Sequence, residues 1–317
     1  MPEPMFRTPV SLPTKSVVIT PHSGLLFVGS CFAAEVGERA RSAGLNAVVN
    51  PAGTLYNMES LLGALQRWGG GCKDLEDHIY EGADGLWHSS LHSSVCDGLS
   101  REECAARCHE VERIGKVAFE EAKVVFVTAG TNHLYCRKVD GCVVANCHKQ
   151  PADEYVERIQ SFDEIVSHWE TWLSTLSAEK RVVFTVSPYR YAKYGMHESS
   201  LSKATLLLAI DELCRRFAQC VYFPSYEIVL DELRDYRFYK ADMLHVNSVA
   251  TEYVWQRLAE WAFAPVTHEF VRERQTLCKR VEHIPRRADS ECYRLFEQET
   301  ERLIAAFETK WRISFKR

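Results

Sequence analysis

Leu25-Leu26-Phe27-Val28-Gly29-Ser30-Cys31-Phe32-Ala33 changes period in its middle. Four consecutive apolar residues, with no polar alternation, read as a strand buried on both faces. Gly29-Ser30 ends the run. From Phe32 to Ala43 the apolar spacing is helical, and Gly44 is placed to cap the far end. A buried strand that feeds a helix through two small residues is the repeating unit of a parallel α/β sheet. Ser30 then stands where a helix begins, beside backbone N–H groups that can stabilise negative charge. Serine is also a good helix N-cap, so position alone leaves its role open.

The same alternation continues outward. Asn46 to Val49, Val124 to Thr128, Val182 to Val186 and Val221 to Phe223 predict four further strands. The run Val124 to Thr128 is β-branched and aromatic with almost no polar face. Pro188 and Pro224 stop the last two strands. Between the strands, Met58 to Trp68 predicts a helix, Ser100 with Glu103 a capping box opening a helix to about Ala122, and Ser161 with Glu164 another. Ser199 to Phe217 reads as helical, and Asn247 can cap a helix running through Trp261. The expected fold is α/β, a five-stranded parallel sheet covered by helices. Gly69 to Leu99 is irregular and rich in Gly, Ser and His, and a loop of that length is usually functional. Beyond Pro265 the residues become charged and helix-forming. Residues 1–265 are therefore expected to form the main domain, and residues 266–317 a helical extension packed on or beside it.

Composition narrows the function classes. The chain has 317 residues, 46% hydrophobic and 26% charged, with a net charge of −5. That is an ordinary globular balance without the basic footprint of a nucleic-acid binder. No stretch reaches the roughly 20 apolar residues of a membrane span, and the first residues carry no signal-peptide core. A cytoplasmic protein with no nucleic-acid or membrane partner is expected. Its 12 cysteines should then be reduced and act as small buried hydrophobes. Cys104 and Cys108 with His109, and Cys142 and Cys147 with His148, show no zinc-binding spacing, so neither a metal nor another cofactor is expected.

Catalytic groups in open α/β sheets gather beyond the carboxyl ends of the strands. Four features fall there: Gly29-Ser30-Cys31, Asn50-Pro51-Ala52-Gly53, Gly130-Thr131-Asn132-His133 and Asp242-Met243-Leu244-His245. Their order supplies a nucleophile, a glycine allowing close backbone approach, a possible amide donor, and a base with its orienting acid. The second and third also read as plain turns. Gly29-Ser30-Cys31 is not the G-x-S-x-G elbow of α/β-hydrolases. Cys31, just inside the helix, is expected to face the core.

The string Gly29-Ser30-Cys31-Phe32-Ala33 is the motif after which the GSCFA family is called, and the chain resembles that family over nearly its whole length. The resemblance continues in NPAGTLYN (50–57), ANCHK (145–149), TVSPYR (185–190), LSKATLLLAI (201–210) and FPSYEIVLDELRDYRFYKADMLH (223–245). It implies an SGNH-hydrolase-like fold, a three-layer α/β/α arrangement of flavodoxin-like kind. It also implies a serine hydrolase with Ser30 as nucleophile, His245 as base and Asp242 as orienter. Ser30, Gly53 and Asn132 would form the oxyanion hole. Asn50, His92, Arg190 and Lys203 are expected to contact substrate. Where the family commonly reads GTAW or GTSW this chain has GTNH, and Tyr191 stands where the family often has His. The expected reaction is hydrolysis of an ester, an O-acyl group on a carbohydrate or another small polar molecule. Acyl transfer by the same triad is the alternative, and a non-catalytic binding module on the same fold a further one. The oligomeric state is not legible in the sequence.

Overall fold

Alternate residues of the first strand enter different cores. In the computed structural model, which describes residues 7–14, 16–71, 74–287 and 289–315, β1 (Gly24–Gly29) is buried along its whole length. Leu26 and Val28 join one apolar cluster, while Leu25 and Phe27 join a second. That two-sided burial is why the segment carries no polar alternation.

Five parallel strands form the main sheet: β1, β2 (Ala47–Val49), β3 (Ala122–Ala129), β4 (Arg181–Val186) and β5 (Cys220–Tyr222). Their order is β5-β4-β3-β1-β2. The register places Phe27 opposite Phe126, and the two rings stack with centroids 4.4 Å apart. Each fully buried side chain of this size contributes roughly 1.5–3 kcal/mol from burial.

The first cluster is completed by α2 (Met58–Trp68), α3 (Arg101–Glu121), α4 (Phe162–Leu173) and α5 (Gly195–Arg216). The second is completed by α1 (Cys31–Ser42), α6 (Ser248–Ala262), α7 (Pro265–Val281) and α8 (Glu291–Trp311). Phe270, Leu277, Phe307 and Trp311 of the last two helices pack into the same cluster as α1 and α6. The caps follow the sequence. The Asn57 side chain accepts the Ser60 N–H, Ser161 and Glu164 form a complete capping box, and Asn247 accepts the N–H groups of Val249 and Ala250.

Two features were not anticipated. The irregular stretch after α2 holds a short hairpin, Ile79–Glu81 with Trp87–Ser89. After β3 the chain forms a three-stranded antiparallel ribbon, in which His133–Arg137 pairs with both Val143–Val144 and Tyr155–Ile159. This ribbon stands over the carboxyl end of the sheet and supplies one wall of the cavity described below. Among the described residues no helix is long and apolar enough to cross a membrane.

Candidate active site

Ser30 occupies the N-cap of α1 by backbone position but makes no capping bond. Its hydroxyl is buried and has no hydrogen-bond partner among the described residues. Gly29 makes this turn possible: its φ is +147°, and a Cβ there would lie 2.4 Å from Thr128 O. An unpartnered buried hydroxyl loses hydration without compensation, so its presence at the end of β1 calls for a role other than capping.

Ser30 is part of the wall of a cavity of about 790 Å³. The cavity lies beyond the carboxyl ends of β1, β3 and β4, where Ser30, Gly130 and Thr131, and Ser187 and Tyr189 line it. Asn57 and His245 line it too. His245 comes from a loop after β5 that is tightly tied. Its Nδ1 lies 2.6 Å from Asp242 Oδ2, and Asp242 Oδ1 accepts the N–H groups of Leu244 and His245 at 2.9 and 3.0 Å. The Leu244 N–H, then the imidazole and the His245 N–H, hold the Asp242 carboxyl down at about 2. With Nδ1 bound to the carboxylate, Nε2 is the nitrogen left for proton transfer. Ser30 and His245 face the same cavity without a direct hydrogen bond, a contact that commonly tightens only with substrate bound.

The remaining expectations meet a different geometry. Asn132 is turned away from the cavity: its amide donates to Gln160 O at 3.0 Å and its backbone N–H to Ser202 Oγ. The Gly53 N–H donates to Asn50 O, and its φ of +76° serves a turn packed against Ser93. The Ser30 N–H is held by Thr128 O at 3.2 Å. None of these three N–H groups is free for an oxyanion. Asn50 does not line the cavity; it binds the Gly29 peptide. Arg190 braces the histidine loop, donating from its backbone to Leu244 O and from its guanidinium to Met243 O. Lys203 lies under the cavity floor, where its ammonium donates to Gly130 O at 2.5 Å and Ser187 O at 2.8 Å. Burial pushes its pKa down to about 7. His92 is fully buried elsewhere, between Ser89 and Glu112. All four residues position backbone or fill the interior, which corrects their assignment as substrate contacts.

Cys31 is also corrected. It is half-buried and lines the cavity beside His245 instead of facing the core. Burial, then the nearby Glu35 carboxylate, raises its thiol pKa, which keeps it protonated.

Several cavity residues escaped the sequence reading. Asn57 lines the wall, and because its Oδ1 takes the Ser60 N–H, its Nδ2 is left without a partner among the described residues. The ribbon contributes His133, Tyr135, Tyr155 and Glu157, and the segment after β4 contributes Tyr189, Tyr191 and Lys193. His133 Nδ1 lies 3.0 Å from Glu157 Oε1 and its ring stacks on Tyr194 at 4.4 Å. Asn57 ends the NPAGTLYN string and His133 ends GTNH, so the signals were present but did not reveal orientation. The linear spacing also concealed a buried group far along the chain from the triad, in which His92, Cys96 and Cys108 bring their ligand atoms within 4.8 Å of one another.

Comparison with known proteins gives one match. The model of the GSCFA family matches residues 24–258, from β1 into α6. No curated protein and no solved structure matches the chain.

Proposed function

The chain belongs to the GSCFA family, and from that premise we propose that it is a serine hydrolase of the SGNH type that cleaves an ester bond. In this reading the sheet with its two apolar clusters is the three-layer arrangement of that superfamily. The observation that carries the proposal is that Ser30, whose buried hydroxyl is unpartnered, lines the same cavity as a histidine already bound to a carboxylate.

The mechanism follows from the geometry. Ser30 Oγ attacks the acyl carbonyl while His245 Nε2 takes its proton. Asp242 holds the imidazole and stabilises the cation formed. The leaving alkoxide takes the proton from His245. Water, deprotonated by the same imidazole, then releases the acyl group and restores Ser30. The oxyanion is stabilised by uncapped N–H groups in the first turn of α1 and by Asn57 Nδ2, in place of Gly53 and Asn132.

The substrate alcohol is a carbohydrate or similar polar molecule. Support comes from the lining: Tyr56, Tyr135, Tyr189 and Tyr191 offer flat apolar faces, while Glu157 and Lys193 offer hydrogen bonds. The cavity volume falls in the range of small-ligand sites. Ser30→Ala tests the reading: turnover of a small activated ester should fall by at least about 10³-fold while the protein stays folded. Undiminished turnover would remove Ser30 from the mechanism.

A further inference from the structure

Residues 74–100, ahead of α3, fold with a small apolar core of their own. The fully buried members of this cluster are Ile79 and three cysteines, Cys96, Cys104 and Cys108, with Leu75, Trp87, Ala105 and Val111 packed against them. So small an apolar cluster offsets only part of the entropy of fixing a long irregular stretch. What the segment buries instead is polar: His88, Ser89, Ser90 and His92 are each at most 2% exposed.

The thiols and one imidazole converge. His92, Cys96 and Cys108 are all fully buried, and their ligand atoms lie within 4.8 Å of one another. Cys104, also fully buried, stands one helical turn before Cys108 on the same face of α3, beside that group of three and outside it. His92 comes from the irregular segment and Cys96 from the short turn Ser94–Cys96, so the group joins that segment to α3.

The surroundings of His92 have the form of a metal ligand's support. Its Nε2 lies 2.8 Å from Glu112 Oε1, and Glu112 pairs with Arg67 Nε at 2.9 Å. A carboxylate on one ring nitrogen fixes the tautomer and leaves the other lone pair for a cation. That other nitrogen, Nδ1, meets Ser89 Oγ at 2.8 Å, and the Ser89 hydroxyl is itself in contact with Cys108. Two thiols and an imidazole already converge, a third thiol stands one turn away, and all are closed to solvent; together they match the donor types of a structural zinc centre, whereas a catalytic centre would keep an open position. None of these thiols lines the Ser30 cavity.

We propose that His92 Nδ1, Cys96 and Cys108 bind one Zn²⁺ ion, with the Cys104 thiol turning in as the fourth ligand, and that the ion pins the segment between α2 and α3 onto α3. The ion is structural and lies outside the Ser30 cavity, so the proposal stands or falls independently of the hydrolase reading. Binding displaces the Ser89 hydroxyl from Nδ1 and releases the protons of the coordinating thiols.

The test is cobalt titration of the full-length chain, untagged and reduced. The expected result is saturation at one equivalent of Co²⁺ with thiolate-to-cobalt charge-transfer absorption, displacement by Zn²⁺, and a higher Tm with metal than without. Cys96→Ser with Cys108→Ser should abolish the band. His148→Ala, in the neighbouring group of His88, Asp97 and His148, should leave it intact. The wild-type spectrum needs no variant to fold. Absence of the charge-transfer band from reduced wild type, its survival in the double cysteine variant, or a Cys96–Cys108 disulfide in the protein as purified would each overturn the proposal.

Discussion

Asn50 holds the Gly29 peptide from both sides: its Oδ1 accepts the Gly29 N–H at 2.8 Å, and its Nδ2 donates to Gly29 O at 3.2 Å. This clamp ties the end of β2 to the residue before Ser30 and fixes the direction in which the serine leaves the sheet. Asn50 also adopts a φ of 43°, which asparagine tolerates better than most residues. Asn50→Ala should lower kcat by roughly tenfold to a hundredfold with little change in KM, because the nucleophile is misplaced while the cavity remains. Asn50→Asp keeps the acceptor and should fall between. Steady-state kinetics with melting curves checks this; a less stable Asn50→Ala with wild-type kcat would make the clamp purely structural.

The oxyanion donors give an opposed pair of outcomes. Asn57→Ala should reduce kcat by about 10²–10³ while KM moves little. Asn132→Ala should leave kcat nearly intact and lower stability by roughly 1 kcal/mol, through the lost bond to Gln160 O. The reverse pattern would return the donor role to Asn132.

Cys31 shares the cavity with His245, yet its raised pKa leaves little thiolate at neutral pH. Cys31→Ala should therefore retain turnover within a few-fold of wild type. Inactivity of a folded Cys31→Ala beside an active Ser30→Ala would transfer the chemistry to the thiol.

Much of this architecture was legible because it rests on local rules. Unbroken apolar runs marked the five strands, and Ser100, Ser161 and Asn247 cap helices where their types and positions indicated. The ribbon was not legible. Its strands are short, and Val156 and Ile159 stay exposed, so burial leaves no clean alternation. Within the candidate site, the sequence located Ser30, Asp242 and His245 at loops but could not orient side chains. Asn132 follows a strand as expected, yet Gln160 and Ser202 from other elements turn it inward. Arg190 and Lys203 bind carbonyls that only the folded loops bring near. The thiol group stayed hidden because three residues, His92 from a loop, Cys96 from a turn and Cys108 from a helix, converge without metal-site spacing.

Lys203 gives stability a pH dependence. Unfolded, its ammonium keeps its proton to about 10.5; folded, it releases the proton near 7. Between those values the unfolded state holds more protons, so stability rises with pH through this window, and the burial penalty is fully present below it. The slope from this one group is at most about 1.4 kcal/mol per pH unit. Lys203→Met should remove that component. Denaturant unfolding of both proteins at pH 7 to 10 measures it, and equal slopes would mean that the buried amine keeps its proton.

The most direct measurement is labelling of the purified wild-type protein with a fluorophosphonate, followed by mass mapping of the modified peptide. The phosphonyl group reports a serine activated by its surroundings, without requiring the natural ester. The account predicts one label per chain on Ser30, suppressed in His245→Ala. A folded protein that takes no label, or takes it at a residue other than Ser30, would contradict it.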